Sequence, residues 1–348
     1  MCCGAPKSRP SAAPETDKDC HVRALVTGCA GFIGSHLTES LLADDVEVVG
    51  VDCFNDNYGR PIKLANLERA REWDAFDFVP LDLARGDLED LVADVDVIFH
   101  LAAEPGVRTS WGTRFATFER NNILATQHLL EATRTTPEVL LINASSSSVY
   151  GHAAHYPTSE DTLPRPFSPY GVTKLAAEHL CLLYGENLGL RTVTLRFFSV
   201  FGPRQRPDMA FTRFCFAALT GREITVYGDG NQVRDYTFVE DVVTAMRAAA
   251  TSQTAIGGVY NIGGGSEISV REVLELLAEM SESELKVTYK PAEHGDVRRT
   301  GADTSRAQRD LLYEPKTNVA DGLSLQLAWA REVVANGGRV LQNIHDRM

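Results

Sequence analysis

A tyrosine and a lysine four residues apart, Tyr170 and Lys174, are the side chains of this sequence best suited to acid–base chemistry. They lie in the segment 170–188, whose apolar spacing predicts a helix beginning at Pro169. Residues four apart share one face of a helix, so we expect the lysine ammonium to lie beside the phenol. A neighbouring cation favours the phenolate and lowers the tyrosine pKa from its usual value of about 10. Such a tyrosine can accept the proton of an alcohol, although the same spacing is also common on solvated helix faces.

A glycine-rich turn near the start of the chain predicts an anion site. The apolar segment 22–27 predicts a strand, the run GCAGFIG follows at 28–34, and a helical pattern continues over 35–42. Glycines let the backbone approach a pyrophosphate closely, while the N–H groups and dipole of the helix end attract its charge. The next predicted strand, 47–51, ends at Asp52. An acidic residue at this distance from the turn binds the adenosine ribose and repels a 2′-phosphate, so we expect NAD and not NADP.

The composition is typical of a soluble globular protein. The chain has 348 residues, of which 44% are hydrophobic and 23% are charged, and this is long enough for two lobes. No apolar run approaches the ~20 residues of a membrane span. Residues 1–20 are rich in proline, alanine, serine and charge, without a signal-peptide apolar stretch, so we expect a disordered tail. The formal net charge of −13 disfavours nucleic acid and anionic membranes as partners.

The cysteines and histidines predict neither a disulfide framework nor a metal site. The seven cysteines contain no Cys-x-x-Cys spacing, and the nine histidines contain no His-x-x-x-His pair. Cys29, Cys181 and Cys215 lie in apolar or glycine-turn contexts and are expected to be small core residues. A chain without a disulfide pattern is typical of a reducing compartment, so we expect a cytoplasmic protein.

Predicted strands and helices alternate through the first part of the chain. The strands are predicted at 22–27, 47–51, 76–81, 95–101, 139–144 and 191–198, and the helices at 32–42, 61–73, 86–92, 115–133 and 170–188. This alternation predicts an α/β fold with a doubly wound parallel sheet, whose ligand crevice lies at the carboxyl ends of the strands. We expect residues 21–198 to form the NAD-binding domain. Residues 199–348 are expected to form a smaller substrate domain, with some segments packing back on the first.

Four motifs, in this order along the chain, resemble the extended short-chain dehydrogenase/reductases, which have a Rossmann NAD-binding domain. They are the run TGCAGFIG at 27–34, HLAA at 100–103, SSSSVYG at 145–151 and the Tyr170/Lys174 pair. The resemblance implies a nucleotide-sugar 4-epimerase in which Ser146 is the third catalytic residue. It implies cofactor contacts from the following residues as well as from the tyrosine and the lysine: Gly28, Gly31, Phe32, Ile33, Gly34, Asp52, Asn55, Asp82, Leu83, Leu101, Ala102, Ala103 and Asn122. It also implies a homodimer formed through the helices 115–133 and 170–188.

Two further segments resemble those of UDP-glucuronate 4-epimerases, VDCFNDNY at 51–58 and GPRQRPDMA at 202–210. Enzymes of this kind interconvert UDP-glucuronate and UDP-galacturonate through a transient 4-keto intermediate, and the resemblance implies NAD that stays bound through turnover. A planar guanidinium suits a sugar carboxylate best, and Arg206 is the first candidate. The full set of expected substrate contacts is Ser147, Ser148, Ser199, Arg206, Arg213, Arg234 and Arg108.

Other activities stay open at this point. A UDP-glucose/UDP-galactose 4-epimerase is the nearest alternative. A UDP-glucuronate decarboxylase is another, because a 4-keto uronic acid loses carbon dioxide readily. Relatives that decarboxylate or dehydrate usually carry acidic residues where this chain has Ser147 and Ser148. A non-catalytic NAD-binding scaffold on the same fold is disfavoured by the intact set of Ser146, Tyr170 and Lys174.

Overall fold

The structure, a computed structural model, describes residues 22–337, 340–342 and 344, so the tail expected at 1–20 lies outside the described residues. The strands are β1 (Arg23–Thr27), β2 (Glu47–Val51), β3 (Phe76–Val79), β4 (Val97–His100), β5 (Leu140–Ser146), β6 (Arg191–Phe197), β7 (Val200–Phe201), β8 (Ile224–Tyr227), β9 (Val233–Asp235), β10 (Thr237–Phe238), β11 (Val259–Ile262), β12 (Glu267–Ser269) and β13 (Val287–Lys290). The helices are α1 (Phe32–Leu42), α2 (Arg60–Asn66), α3 (Glu89–Val92), α4 (Phe115–Phe118), α5 (Ala125–Thr133), α6 (Pro169–Leu188), α7 (Ala210–Thr220), α8 (Val239–Thr251), α9 (Val270–Ser281), α10 (Ser305–Leu311) and α11 (Val319–Asn336).

The central sheet has seven parallel strands in the order β11-β6-β5-β4-β1-β2-β3. The chain builds outward from β1 through β2 to β3, then returns to β4 on the other side of β1 and continues through β5 to β6. The carboxyl ends of β1 and β4 therefore flank the point where the strand order reverses, which is where ligands bind in such sheets. The predicted doubly wound α/β fold is confirmed.

Hydrophobic helices cover both faces of this sheet. In β1, Ala24 and Val26 belong to one buried cluster and Leu25 belongs to the other, because successive strand residues point to opposite faces. Leu37 of α1 packs in the first cluster, and Cys181 of α6 packs in the second. Burial on both faces explains why the strands are continuous apolar runs.

The second lobe is discontinuous in sequence. It contains the pairs β8 with β13 and β9 with β12, together with helices α7, α9 and α11, which pack on one another. However, β11 forms the edge of the central sheet beside β6, and α8 packs on α1. Residues beyond position 199 thus complete the sheet of the first lobe.

Helices α4 and α5 are joined by a π-helical segment, Glu119–Leu124, so the single helix predicted over 115–133 carries one irregular turn. Such segments redirect side chains and are frequent at functional sites. No described helix is long and apolar enough to cross a membrane. Among the described residues no group of three or more His, Cys, Asp or Glu side chains is arranged to hold a metal ion.

Candidate active site

The glycine turn between β1 and α1 leaves no room for side chains. Gly28 has a left-handed φ of 74°, and a Cβ atom there would lie 2.9 Å from the backbone nitrogen of Ala102. A Cβ atom at Gly34 would lie 2.2 Å from the carbonyl oxygen of Gly28. The turn is tied to the sheet because Gly28 N–H donates to the carbonyl of Val51 at 2.7 Å. The N-terminus of α1 is thereby open to an anion at close range.

A first cavity lies over this turn, at the carboxyl ends of the strands. Of the residues expected to contact the cofactor, it is lined by Gly28, Gly31, Phe32, Ile33, Gly34, Asp52, Asn55, Asp82, Leu83, Leu101, Ala102, Ala103, Tyr170 and Lys174. The exception is Asn122, which is buried beside the cavity. Its Oδ1 accepts from the N–H of Glu104 at 2.6 Å, and its Nδ2 donates to the Thr173 hydroxyl at 2.9 Å. Asn122 therefore braces α6, while Asn121 lines the cavity in its place.

Asp52, the acid expected to bind the adenosine ribose, is paired with a cation that the sequence did not indicate. Lys63 donates to Oδ1 of Asp52 at 2.9 Å and to Oδ1 of Asn55 at 2.9 Å, and the side chains of Lys63 and Asp52 are each 6% exposed. Lys63 also lines the first cavity. It lies on α2, and no spacing in the sequence shows that it reaches Asp52. A side-chain-free turn, a helix N-terminus and a fixed carboxylate together fit a dinucleotide.

A second cavity adjoins the first and is rich in positive charge. It is lined by all the residues expected to contact substrate, Arg108, Ser147, Ser148, Ser199, Arg206, Arg213 and Arg234, and by Ser146. Its lining holds four arginines against two aspartates, Asp208 and Asp296. An excess of guanidinium groups in a concave site favours a ligand with several negative charges.

The arginines of the second cavity differ in their partners. Arg206 donates to both carboxylate oxygens of Asp208, at 3.0 and 2.8 Å, and Arg108 donates to Asp296 at 2.6 Å. The guanidinium of Arg234 donates to the Val233 carbonyl at 2.9 Å and has no carboxylate partner within the described part of the chain. Burial lowers the pKa of Arg234. A buried guanidinium in this state is a ready partner for an anion.

Tyr170 stands where the two cavities meet, because it lines both of them, and Arg206 does the same. The position of Tyr170 is set by the first turn of α6. The Ser168 hydroxyl caps the helix by accepting from the N–H of Gly171 at 3.1 Å, and Pro169 occupies the first helical position. The Tyr170 ring packs edge-on against Phe118, with centroids 6.3 Å apart.

The electrostatics of this tyrosine differ from the sequence-based expectation. Burial raises the pKa of Tyr170, and the groups that lower it are the Ser146 hydroxyl and the charge of Arg206. The prediction that the pKa of Tyr170 lies below its usual value is therefore wrong, and Lys174 is not among the groups that shift it. Lys174 is itself buried, and burial lowers its pKa to about 8, so it loses its charge at a lower pH than an ordinary lysine does.

The four consecutive serines have different surroundings. Ser146, at the end of β5, accepts from the N–H of Ser148 at 3.1 Å and donates to its hydroxyl at 3.1 Å. Ser145 donates instead to the buried carboxylate of Glu178 at 3.0 Å. Of these serines, Ser146 is the one whose hydroxyl lowers the pKa of Tyr170.

A doubly wound sheet with a glycine turn, a ribose-side acid and a Tyr-x-x-x-Lys pair between two cavities defines a dinucleotide-binding fold of the short-chain dehydrogenase/reductase type. The family profile described as GDP-mannose 4,6 dehydratase matches residues 25–325. The chain belongs to this family, within the extended epimerase/dehydratase group of short-chain dehydrogenase/reductases.

Known proteins similar to this chain include several sugar-nucleotide epimerases. The crystal structure of UDP-glucuronic acid 4-epimerase from Bacillus cereus, in complex with UDP-glucuronic acid and NAD, is 41% identical, with a TM-score of 0.87 and coverage of 90% of this chain and 100% of the other. The uncharacterized UDP-glucose epimerase YtcB of Bacillus subtilis is 43% identical over 309 residues, which are 88% of this chain and 98% of YtcB. UDP-glucuronate 4-epimerase of Thermodesulfobacterium geofontis is 34% identical over 314 residues, with 88% of this chain and 96% of that protein covered.

Proposed function

We propose that this protein is an NAD-dependent nucleotide-sugar 4-epimerase that interconverts UDP-glucuronate and UDP-galacturonate. The observation that carries the proposal is the position of Tyr170 and Arg206, which both line the junction of the two cavities. A proton acceptor and a guanidinium at one place suit a sugar that carries both a hydroxyl and a carboxylate near the reacting carbon. The similar epimerases named above support the same reaction class.

The first cavity fits NAD. The turn from Gly28 to Gly34 and the N-terminus of α1 would hold the diphosphate, and Asp52 would hold the adenosine ribose. Lys174, on the cavity wall beside Tyr170, would bind the other ribose. When bound there, NAD supplies an acceptor and donor of hydride for a carbinol carbon.

The protein's own part in the reaction is the movement of one proton. The Tyr170 phenolate oxygen takes the proton of the sugar 4-hydroxyl and later returns it to that same oxygen, after the sugar has presented the opposite face of C-4 to the cofactor site. The Ser146 hydroxyl shares this hydrogen bond and favours the charged form of the tyrosine. Inversion also requires the sugar to turn over, for which the second cavity provides space on the far side of Tyr170.

The arginines divide the binding of the anionic groups. Arg206 is the candidate for the sugar carboxylate, because it is the arginine that lines both cavities beside Tyr170. Arg234, buried and without a carboxylate partner among the described residues, is the candidate for the diphosphate. Arg108 and Arg213 line the same cavity and can complete the diphosphate site, while Ser147, Ser148 and Ser199 offer hydroxyl groups.

The nearest alternative is a 4-epimerase of UDP-glucose, which the name of the relative YtcB supports. Dehydration, which needs a base to take a proton from the sugar ring, is disfavoured by the acids of the second cavity. Asp208 and Asp296 are each paired with an arginine, and positions 147 and 148 are serines. An ion-paired carboxylate is a poor proton acceptor because its pKa is low. At the half-exposed Asp208, desolvation raises the carboxyl pKa, but the charge and hydrogen bonds of Arg206 lower it, and the net shift is downward.

The test is incubation of the purified protein, without added NAD, with UDP-glucuronate and separately with UDP-glucose, followed by nucleotide-sugar chromatography. We expect UDP-galacturonate from the first substrate and little or no product from the second. Product from UDP-glucose alone would assign the neutral-sugar reaction, and a UDP-pentose as main product would assign decarboxylation. NAD released by denaturing the protein identifies the cofactor directly.

We also propose that the protein is a homodimer paired through α5 and α6, and that it works in the cytoplasm, where its free cysteines stay reduced. These neighbouring helices and the π segment leave Leu124, Leu183 and Leu188 41, 52 and 48% exposed. Sedimentation should give a dimer for the unaltered protein and a monomer for Leu183→Glu. Leu325→Glu on α11, where the leucine is 50% exposed, is the matched control and should leave a dimer.

A further inference from the structure

Three consecutive residues in the loop that follows β7, residues 202–209, reach three different parts of the molecule. Arg206 lines both cavities. Gln205 is buried against the second lobe, and Arg204 turns towards α1, the helix that begins at the glycine turn. The loop is therefore the place where the cofactor helix, the second lobe and the reaction site are joined.

Arg204 forms an ion pair with Glu39 of α1, and the two side chains are 16 and 12% exposed. A second guanidinium nitrogen of Arg204 lies 3.4 Å from the other carboxylate oxygen of Glu39, so the pair is two-pronged. Arg204 also donates to the carbonyl of Asn66 at 3.5 Å, and the Asn66 amide donates to the carbonyl of Ala30 at 3.0 Å. The arginine thus contacts the helix and, through one residue, the glycine turn itself.

A histidine on the same face of α1 adds a second tie. His36 lies three residues before Glu39, and its Nε2 is 2.9 Å from the carbonyl oxygen of Pro203. In this contact Nε2 carries the hydrogen, because a carbonyl only accepts; the other tautomer would instead accept at Nε2 from Nε of Arg204, which lies 3.3 Å away. Burial, and then the charge of Arg204, lower the pKa of His36 to about 3, so the ring is neutral at physiological pH and the tie does not depend on protonation.

The opposite side of the loop is held by buried amides. Oε1 of Gln205 accepts from the N–H of Thr212 at 3.0 Å and from Nε2 of Gln326 at 3.0 Å. Oε1 of Gln326 accepts from the N–H of Gly202 at 2.9 Å. Between these anchors Arg204 has a left-handed φ of 63°, which non-glycine residues adopt only where their surroundings determine it. The ion pair with Glu39 is one of the contacts that hold Arg204 in this conformation.

We propose that Arg204 and Glu39 are positioning residues that set the place of Arg206 relative to Tyr170. The inference rests on the proposed function, since it assigns to this ion pair the recognition of the sugar carboxylate. Loss of this ion pair should therefore affect only the part of the substrate that Arg206 binds. Breaking the pair should weaken the binding energy that Arg206 supplies, whereas the binding of the uridine diphosphate part should stay as it is.

The test compares Glu39→Gln, Arg204→Gly and a matched control in the full-length protein. Glycine relieves the left-handed φ but removes the guanidinium. The control is Asp44→Asn, which breaks the ion pair that Asp44, just beyond α1, forms with Arg247 of α8. Calorimetric titration measures the Kd for UDP-glucuronate, UDP-glucose and UDP. For both test variants we expect Kd to rise about tenfold for UDP-glucuronate and less than about twofold for the other two.

A double-mutant cycle separates positioning from a general structural role. Adding Glu39→Gln to Arg206→Ala should cause no further loss of UDP-glucuronate affinity, because the group being positioned is absent. Equal weakening of UDP and UDP-glucuronate, additive losses in the cycle, or unaltered affinity in Arg204→Gly would overturn the inference.

Amide hydrogen exchange needs no substrate, so it tests the positioning role of Arg204 and Glu39 separately from the proposed enzymatic activity. Amide hydrogen exchange in residues 202–209 should be faster in Glu39→Gln than in the unaltered protein, with no such change in Asp44→Asn. Unchanged exchange in this loop overturns the inference. Failure of the unaltered protein to convert UDP-glucuronate overturns the proposed function instead.

Discussion

Arg206 acts on the acidity of Tyr170 where the two cavities meet. Burial raises the pKa of the phenol, and the positive charge of Arg206 lowers it. One guanidinium can therefore serve both substrate binding and proton transfer, because a cation beside a phenol stabilises the phenolate that accepts a proton. The Ser146 hydroxyl works in the same direction.

Removing this charge should change the pH profile. In Arg206→Ala the pKa of Tyr170 should rise, because the phenolate loses a neighbouring cation while burial continues to disfavour it. The acidic limb of the kcat profile, which reports deprotonation of the base, should move to higher pH. Arg213→Ala is the control, since Arg213 lines the second cavity but is not among the groups that shift Tyr170. An unmoved limb in Arg206→Ala contradicts this link.

Tyr170→Phe should remove the proton acceptor and leave the binding sites intact. We expect kcat to fall by about 10²- to 10⁴-fold, as is usual for loss of a general base. Bound NAD and the Kd for UDP should be unchanged, because the phenylalanine keeps the ring that packs against Phe118. Tyr289→Phe, a change at a half-exposed tyrosine on β13, should retain full activity. Retention of kcat in Tyr170→Phe would assign the base elsewhere.

Burial of Lys174 should appear as a pH dependence of stability. Its pKa is about 8 in the folded protein and about 10.4 in an unfolded chain. Between these values the unfolded chain binds more protons, so the burial penalty is fully present below pH 8 and is relieved as the pH rises. From pH 7.5 to 9.5 this relief amounts to about 2 kcal/mol in the free energy of unfolding.

The measurement is urea unfolding of nucleotide-free protein at both pH values. Lys174→Met lacks the ionisable group. Between the two pH values its free energy of unfolding should therefore rise by about 2 kcal/mol less than that of the unaltered protein. Parallel changes in the two proteins would mean that Lys174 does not titrate in this window.

The pairing of Asp52 with Lys63 should govern the choice between NAD and NADP. In Asp52→Ser the repulsion of a 2′-phosphate is lost while the Lys63 ammonium remains on the cavity wall. The bound cofactor, identified by mass spectrometry after denaturation, should then include NADP. Adding Lys63→Met should abolish the NADP gain. Equal NADP content in the single and double variants would show that Lys63 has no part in it.

Much of the fold was predictable because its signals are local. The helix 32–42 and the strand 47–51 are found at the predicted bounds, since the glycine turn and the apolar runs fix them. The turn at 28–34 was predictable for the same reason.

The contacts between distant segments were not predictable in this way. Glu39 and Arg204 are 165 residues apart, and Asp52 meets Lys63 only because α2 folds back on β2. Asn121 lines the cavity and Asn122 does not, and both lie in the π-helical turn, which a regular helical pattern does not predict. The error on Tyr170 has a similar origin, because burial depends on the whole fold and a spacing of four residues does not report it.

Because β11 forms the edge of the central sheet, this sheet can be completed only after β11 has been synthesised. This strand begins at Val259, so a chain emerging from the ribosome exposes the open edge of β6 until more than two hundred residues have been made. An unpaired strand edge invites pairing with other chains. We therefore expect that the cofactor lobe does not fold as an independent fragment, and that loss of the C-terminal half leaves a sheet prone to aggregation. Cutting the gene at the apparent lobe boundary would yield an unstable product instead of a minimal NAD-binding protein.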